Sequence, residues 1–236
     1  FTFDDCVNNQ KIEEFKNKLE SVSDTKSIWP VKPLIPVVFN KSGGRLSYDK
    51  KNNKMYLTIG TYGIRVLSQI QNSFFGKMIE IDLDTKKSNI FSSGHRNAQG
   101  LSFSNDYTAL LSTEHGPRGG DEINLIVKDN NYGWPISSYG EHYDGKYRDE
   151  APLYKNHKNH GFKEPLYFFT PSIAISQIAL IPNTDNLYNY SDFNYFVVSS
   201  LKAKKIIFIK YFKKTEKIKI LNEIYIGERI RDILVK

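Results

Sequence analysis

Residue types suited to chemistry concentrate between Gly94 and Trp134. Gly, Asn, His and paired acids, which a packed core does not require, fill three blocks of this stretch: G-H-R-N at 94–97, T-E-H-G-P-R-G-G-D-E-I-N-L at 113–125 and N-Y-G-W-P at 131–135. Short apolar runs separate the blocks. The stretch therefore predicts loops at strand ends, where a rigid β scaffold usually carries its functional side chains.

The central block contains Gly-Pro at 116–117 and Gly-Gly at 119–120, which are turn signals. Hard cations such as calcium take about six to eight oxygens, and backbone carbonyls serve well as ligands. His157 and His160 form an H-x-x-H pair in a loop rich in Asn and Lys, but this spacing alone is weak support for zinc.

Together the three blocks resemble the soluble glucose/sorbosone dehydrogenase family, which are six-bladed β-propeller quinoproteins that use pyrroloquinoline quinone (PQQ) and calcium. Three ordered blocks within about forty residues are far more specific than one short motif. The resemblance covers roughly residues 30–236. It implies that the carbonyls of Gly116 and Pro117 hold calcium, and that Asp121 and Glu122 support the loop and a further cation site.

The resemblance also implies a cofactor site. The positions that match family residues beside the quinone, facing its carboxylates or lining its pocket are Arg96, Asn97, His115, Tyr167, Phe169, Lys202, Arg229 and Arg231. Aromatic faces suit a flat quinone, and the planar guanidinium of Arg suits the three carboxylates of PQQ. The competing interpretation of each basic residue is an ordinary surface charge, and His115 alone is more often a structural hydrogen-bonding residue.

The chain departs from the family at its catalytic base. Asn40–Leu46 reads N-K-S-G-G-R-L, and Lys41 stands where the family has the His that takes the proton of the sugar hydroxyl. An imidazole titrates near neutral pH, whereas an ordinary Lys is already protonated. Lys41 can serve as a base only if burial or nearby cations lower its pKa. Thr61 also replaces a frequent acid, and Phe169 replaces a usual Trp.

An all-β fold class is expected, as a portion of a six-bladed β-propeller with a short N-terminal helix. Apolar residues at helical spacing predict that helix over 8–22, within a segment 1–29. From residue 30 to 236, short apolar runs broken by turn residues predict antiparallel meanders, the unit of a propeller blade. They make about three blades, with a long insertion at Ser137–Pro171 and one further strand at Arg229–Val235.

Composition narrows the classes of partner. The 236 residues carry a net charge of +7, but the Lys residues are scattered and no nucleic-acid-binding motif accompanies them, so no nucleic-acid partner is expected. No apolar run is long enough to predict a membrane span. The single Cys6 excludes an intrachain disulfide.

The resemblance implies a sugar substrate and a periplasmic or secreted location. No signal peptide is visible in the sequence, which begins at Phe1 and is expected to be a fragment whose remaining blades lie elsewhere. The first functional hypothesis is a PQQ- and calcium-dependent aldose dehydrogenase whose activity is weakened by Lys41. The alternative is a non-catalytic propeller that binds a carbohydrate or a protein partner, because fold alone does not decide function.

Overall fold

Three four-stranded antiparallel sheets make up residues 41–182 and 192–235, the part of the chain that the computed structural model describes. The first sheet consists of β1 (Gly43–Asp49), β2 (Lys54–Ile59), β3 (Lys77–Asp82) and β4 (Ser88–Ser92). The second consists of β5 (Ala98–Phe103), β6 (Leu110–Glu114), β7 (Asp121–Ile126) and β8 (Tyr167–Phe169). The third consists of β9 (Ile175–Ile181), β10 (Phe193–Ser200), β11 (Lys205–Phe212) and β12 (Lys217–Tyr225).

Each sheet is a meander in which consecutive strands are neighbours. In the first sheet Gly43 lies opposite Ile59, and in the second Ala98 lies opposite Glu114. The sheets pack through their first strands, with β1 against β5 and β5 against β9. This arrangement confirms the prediction that the chain forms about three blades of a β-propeller.

Strand direction brings the functional loops to one end of the sheets. Because neighbouring strands run in opposite directions, the start of the first strand in a blade lies beside the end of the second and the start of the third. Two short 3-10 helices, Arg65–Ser68 and His157–His160, lie in the β2–β3 and β7–β8 connections. Throughout residues 41–182 and 192–235, no helix is both long and apolar enough to cross a membrane.

An apolar core joins the second and third blades. Its fully buried members come from β6, β7, β9, β10 and β11 and include Leu111, Ile123, Ile178, Val198 and Ile207. Burying one such side chain contributes about 1.5–3 kcal/mol. All six residues of β7 are buried, so the strand that follows the Gly-rich turn is fixed on both faces.

The structure corrects two details of the sequence prediction. The expected insertion at Ser137–Pro171 contains the short strand β8, which pairs with β7 and completes the second blade. The expected strand at Arg229–Val235 is not a strand, because within the described residues it has no ladder partner. It is held instead by Arg45, which donates to the Arg231 carbonyl at 3.0 Å and pairs with Asp232 at 2.9 Å. The predicted helix over 8–22 and its segment 1–29 lie outside the described residues.

Candidate active site

Loops of the first and second blades meet at the end of the sheets defined above. Lys41 precedes β1, Thr61 follows β2 and Arg96 precedes β5. The backbone amide of Thr61 donates to the Arg96 carbonyl at 3.0 Å, and the amide of Tyr62 donates to the Lys41 carbonyl at 3.2 Å. Thr61 is buried and its hydroxyl also bonds to the Arg96 carbonyl. Thr61 therefore holds the backbone of Arg96.

Gly60 lets the segment of Lys41 approach β2 closely. A Cβ atom at Gly60 would overlap the carbonyl oxygen of Lys41. Lys41 has a φ of 64°, in the left-handed region that non-glycine residues seldom adopt. Backbone strain of this kind persists where the surrounding structure imposes it, and such positions cluster at functional sites.

Glu114 is the buried centre of the hydrogen bonds that position the G-H-R-N block. Its carboxylate accepts from the backbone amides of Arg96 and Asn97 and lies 3.0 Å from His95 Nδ1. Burial acts to raise the pKa of Glu114, but His95 and the two amides outweigh it and lower that pKa. The other ring nitrogen of His95 lies 2.8 Å from Ser92 Oγ. All these groups are buried, so this chain of hydrogen bonds fixes the backbone of Arg96 and Asn97.

The turn between β6 and β7 requires glycine at particular positions. A side chain at Gly116 would overlap the backbone of Gly120, which itself has a φ of 65°. The Gly116 amide donates to Asp121 Oδ1 at 3.0 Å. Asp121 Oδ2 accepts from Ser172 Oγ at 2.7 Å and from the Ile175 amide at 3.1 Å. Asp121 therefore ties the turn to the start of the third blade.

Two cavities flank this turn. The first, which we call the cationic cavity, has a volume of about 160 Å³ and is lined by Lys41, Arg65, Arg96, Pro117, Trp134, His142, Tyr143, Asp144 and Arg148. The second, which we call the carboxylate cavity, has a volume of about 10 Å³, room for one water-sized species. The residues that line it include Arg96, Glu114, His115, Gly116, Glu122, Trp134 and His157.

Arg96 and Trp134 form the wall that both cavities share. The guanidinium carbon of Arg96 lies 5.2 Å from the centre of the Trp134 ring, and Nη1 donates to the His115 carbonyl at 2.9 Å. Three buried nitrogens around the wall find no hydrogen-bond partner among the residues that the structure describes, namely Arg96 Nε, His115 Nε2 and Trp134 Nε1. Buried polar atoms are normally paired, so polar atoms of a bound group are the natural partners of these three.

The two cavities differ in their electrostatics. On the cationic side, burial lowers the pKa of Lys41, and Arg96 and Arg65 lower it further. On the carboxylate side, burial raises the pKa of Glu122 well above its usual range, and the nearby Glu114 adds to the shift. Burial also lowers the pKa of His115, partly offset by Asp121. Among the described residues, Arg96 and Arg65 are the cations whose charges lower the pKa of Lys41.

Several residues expected at the cofactor site are not brought to either cavity. Tyr167 is partly exposed on β8 and borders a separate surface groove, whereas Phe169 is buried in the core between the second and third blades. Lys202 lies exposed in the β10–β11 turn, and Arg229 is exposed beyond β12. Their assignment to the cofactor stays a prediction.

The side chains of Asn97 and Arg231 lie near the wall, but they form hydrogen bonds with groups outside the two cavities. Asn97 Oδ1 accepts from the Gly43 amide at 3.2 Å and from Gln99 Nε2 at 2.9 Å, so Asn97 links the starts of β1 and β5. The Arg231 side chain donates to Gln99 Oε1 at 3.3 Å. Its charge contributes to lowering the pKa of His115, which places Arg231 within electrostatic range of the carboxylate cavity.

Sequence reasoning missed part of the cationic cavity. Arg65 lies in the 62–75 loop, which carries no recognisable motif, and His142, Tyr143 and Arg148 lie in the predicted insertion. The length of that insertion was the available signal, because long loops in small domains are usually functional. Trp134, in the third block, was not among the expected site residues, but it lines both cavities.

The H-x-x-H pair does not form a joint site. His157 is buried, stacks on Tyr139 with ring centres 5.1 Å apart and lies 3.6 Å from Glu122 Oε1. His160 is exposed and stacks on Tyr154. Within residues 41–182 and 192–235, no group of three or more His, Cys, Asp and Glu side chains is arranged to hold a metal ion.

Known proteins are similar to this chain in sequence and in the arrangement of their sheets. Aldose sugar dehydrogenase YliI of Escherichia coli (strain K12) is 32% identical over 230 residues, which cover 91% of this chain and 59% of that protein. The crystal structure of the soluble aldose sugar dehydrogenase of Escherichia coli in its apo-form matches with a TM-score of 0.68 at 30% identity, covering 80% of this chain and 56% of that one.

A ligand-bound relative matches as well. The PQQ-bound form of the aldose sugar dehydrogenase from Streptomyces coelicolor has a TM-score of 0.57 at 25% identity and covers 80% of this chain and 51% of that one. The chain thus spans little more than half the length of these relatives. Residues 4–236 match the family described as Glucose / Sorbosone dehydrogenase. Sequence and fold agree, and this chain belongs to that family.

Proposed function

We propose that the complete protein is a PQQ- and calcium-dependent aldose sugar dehydrogenase that oxidises the C1 carbon of a sugar. The observation that carries the proposal is the convergence of Lys41, Arg96 and Pro117 on one cavity, although they lie in three separate loops. The relatives described as aldose sugar dehydrogenases, one of them bound to PQQ, support it. Because the chain covers 59% of YliI, the proposal concerns the complete protein.

The cationic cavity fits a carboxylated quinone. Arg96 is buried, and its unpartnered Nε can donate to a carboxylate. Lys41 and Arg65 add positive charge, and the ring of Trp134 offers an aromatic face. We assign the primary hold on PQQ to Arg96, with Asn97, His115, Tyr167, Phe169, Lys202, Arg229 and Arg231 retained as proposed contacts from the family resemblance.

The turn at Gly116 and Pro117 fits calcium. Within the described residues, neither carbonyl accepts a hydrogen bond, so their lone pairs are available to a cation. Glu122 is buried with a raised pKa, and a bound cation would stabilise its ionised form. Both carboxylate oxygens of Asp121 accept hydrogen bonds from neighbouring groups. Asp121 is therefore better suited to support the loop than to coordinate the calcium ion directly.

The residues of the chain would share the remaining work. When bound, PQQ supplies the hydride acceptor and calcium polarises it. Lys41 stands where the resemblance places the residue that takes the proton of the sugar hydroxyl, and burial with the charges of Arg96 and Arg65 lowers its pKa, which increases its neutral fraction. Arg96, fixed by Glu114 and Thr61, orients the bound groups. Because Lys41 must be neutral to accept a proton, turnover should rise with pH.

A titration of the complete protein with PQQ in the presence of calcium tests the proposal. We expect saturable PQQ binding, followed by absorbance, that is lost with a chelator and weakened in Arg96→Gln. Lys128→Gln, which changes an exposed cation outside both cavities, is the matched control. No PQQ uptake by the natural protein would refute the proposal.

A non-catalytic binding module is the second candidate. It is favoured by Lys41 at the position where the family has its catalytic His, because a Lys that stays protonated at neutral pH cannot accept the hydroxyl proton. Carbohydrate binding without PQQ uptake or turnover would support it. We also propose a periplasmic or secreted location, which fractionation of the source cells would test.

A further inference from the structure

Lys77, the first residue of β3, is a buried cation that lines neither the cationic cavity nor the carboxylate cavity. Only 1% of its surface is exposed. Its ammonium donates to the carbonyl oxygens of Leu67 at 2.9 Å, of Ser68 at 2.7 Å and of Phe75 at 3.1 Å. An ammonium has three donors and no acceptor, so all of its hydrogen-bonding capacity is directed at the backbone of one loop.

The charge of Lys77 is costly in this position. Among the described residues, no carboxylate forms an ion pair with it, and burying a charge without a counterion is unfavourable. Burial lowers the pKa of Lys77 to about 8, so the ammonium form still prevails at neutral pH. An apolar side chain of similar length would fill the same space without this cost. The three hydrogen bonds to the loop are what the charge provides in return.

The loop that Lys77 holds carries Arg65 into the cationic cavity. Leu67 and Ser68 are the last two residues of the 3-10 helix that begins at Arg65, and Lys side chains can bind the last carbonyls of a helix in this way. Phe75 lies at the other end of the same loop, so the ammonium ties both ends to β3. Because β3 is paired on both sides, with β2 and with β4, Arg65 is mounted on a segment with a fixed anchor.

Ser68 extends this hold to the third sequence block. Its carbonyl oxygen, which accepts from Lys77, also accepts from the Gly94 amide at 3.1 Å. Its hydroxyl donates to the Trp134 carbonyl at 2.6 Å, and Gln69 Nε2 donates to the same carbonyl at 2.6 Å. Ser68 is buried. The backbone of the wall shared by the two cavities is therefore tied to the loop that Lys77 holds.

We propose that Lys77 is a positioning residue of the active site, whose buried ammonium sets Arg65 and Trp134 at the cationic cavity. The inference rests on the proposed function, in which that cavity binds PQQ. Lys77 does not line the cavity and acts through the backbone of Ser68. Precise placement of binding groups matters because a small displacement far from the chemistry can cost a large factor in function.

Hydrogen exchange of the complete protein without PQQ tests the hold on the loop directly. Lys77→Met keeps a side chain of similar length and removes the three donors. We expect amides in 62–76 and 131–135 to exchange about tenfold faster or more in this variant, while those of β6 and β7 are unchanged. Lys87→Met, at an exposed position between β3 and β4, is the matched control and should exchange like the natural protein.

Two results of this experiment would overturn the inference. Unchanged exchange in 62–76 would show that the loop does not depend on Lys77. Equally accelerated exchange in β6 and β7 would show that Lys77 supports overall stability and not this loop in particular. Should Lys77→Met not fold, Lys77→Gln, whose amide retains two N–H donors, is held to the same outcomes.

The affinity for PQQ connects the hold to function. With calcium present, Lys77→Met should weaken PQQ binding by about tenfold. Its combination with Arg65→Gln should weaken binding by less than the product of the two single losses, because Lys77 acts partly through Arg65. Losses that multiply would mean that the two residues act independently, and the inference would be wrong.

The inference and the proposed function fail separately. If the natural protein binds PQQ and Lys77→Met binds it equally well, the inference fails and the proposed function stands. If the natural protein takes up no PQQ but 62–76 and 131–135 exchange faster in Lys77→Met, the proposed function fails. The hold of Lys77 on the segments of Arg65 and Trp134 then stands.

Discussion

The cationic cavity and the carboxylate cavity share a wall but have opposite character. The first is lined by Lys41, Arg65 and Arg96 and is open enough for a small molecule, whereas the second holds Glu114 and Glu122 around a space of about 10 Å³. One peptide separates them, since Gly116 lines the carboxylate cavity and Pro117 lines the cationic one. The Gly-Pro turn thus marks the boundary between the two linings, and Arg96 and Trp134 belong to both.

This difference shows how the scaffold divides two tasks. The carboxylate of Glu114 accepts hydrogen bonds from the backbone amides of Arg96 and Asn97 and so holds this backbone from the side of the carboxylate cavity. The basic side chains across the wall have few partners among the described residues and are available to a ligand. Glu114 positions the backbone, whereas the basic side chains are available to bind a ligand. Substitutions on the carboxylate side should therefore change stability, and substitutions on the cationic side should change binding and turnover.

The largest expected effect comes from the cationic cavity at Lys41. In the complete protein with PQQ and calcium, Lys41→His should raise turnover of a neutral aldose at neutral pH by about 10²–10⁴-fold, because a neutral imidazole can accept the hydroxyl proton. In the natural protein, burial with Arg96 and Arg65 lowers the Lys41 pKa. Its neutral fraction, and with it turnover, should therefore rise with pH through that lowered pKa.

A pH profile of kcat for the natural protein, Lys41→His and Lys41→Ala checks this. The rise with pH should vanish in Lys41→Ala and shift to lower pH in Lys41→His. Robust turnover of the natural protein at neutral pH that disappears in Lys41→Ala would show that Lys41 already works as the base.

On the carboxylate side, Glu114→Gln should reduce the free energy of unfolding by about 3–5 kcal/mol. The substitution removes a buried charge that three donors share, and breaking such a buried arrangement leaves them uncompensated. Urea unfolding of the complete protein measures the change, with Glu228→Gln, at an exposed site, as the control. A loss below about 1 kcal/mol would mean that His95 and the amides find other partners.

Substitutions of arginines distinguish the contribution of buried Arg96 to PQQ binding from that of the exposed Arg229 and Arg231. Arg96→Ala should weaken PQQ binding by about 1.5–3 kcal/mol for each charge-assisted hydrogen bond that it loses. The double variant Arg229→Ala, Arg231→Ala should weaken it as well if those residues face the carboxylates of the cofactor. Unchanged PQQ affinity in the double variant would remove both residues from the cofactor site and leave the hold on PQQ to the cationic cavity.

The smallest effect is expected at the shared wall. Trp134→Leu should remove the contact between the Trp134 ring and the guanidinium of Arg96, which contributes about 0.5–2 kcal/mol. The midpoint temperature of thermal unfolding and the affinity for PQQ should both fall slightly in Trp134→Leu. Trp134→Phe should show a smaller fall in each. Equal losses in the two variants would show that volume, and not the aromatic face, matters at this position.

Sequence alone determined the scaffold and the chemistry of the turn. Short apolar runs between turn residues predicted about three blades, and the structure contains three four-stranded sheets. The prediction succeeds because apolar runs of this length, bounded by turn residues, fit strands better than helices. The three blocks from 94 to 135 pointed to the family, and the structure places Arg96, Gly116 and Glu122 together. Gly60 and Gly116 could be foreseen as turn glycines, but not which carbonyls they approach.

Only the tertiary structure decided which residues share a cavity. Arg65, Tyr143 and Arg148 come from loops without a recognisable motif, and their meeting with Lys41 depends on how the blades pack and how the β7–β8 connection folds back. The pKa of Lys41 likewise depends on burial and on cations distant in sequence. The Arg229–Val235 segment looked like a strand, but a strand needs a neighbour to receive its hydrogen bonds, and local sequence carries no information about that neighbour.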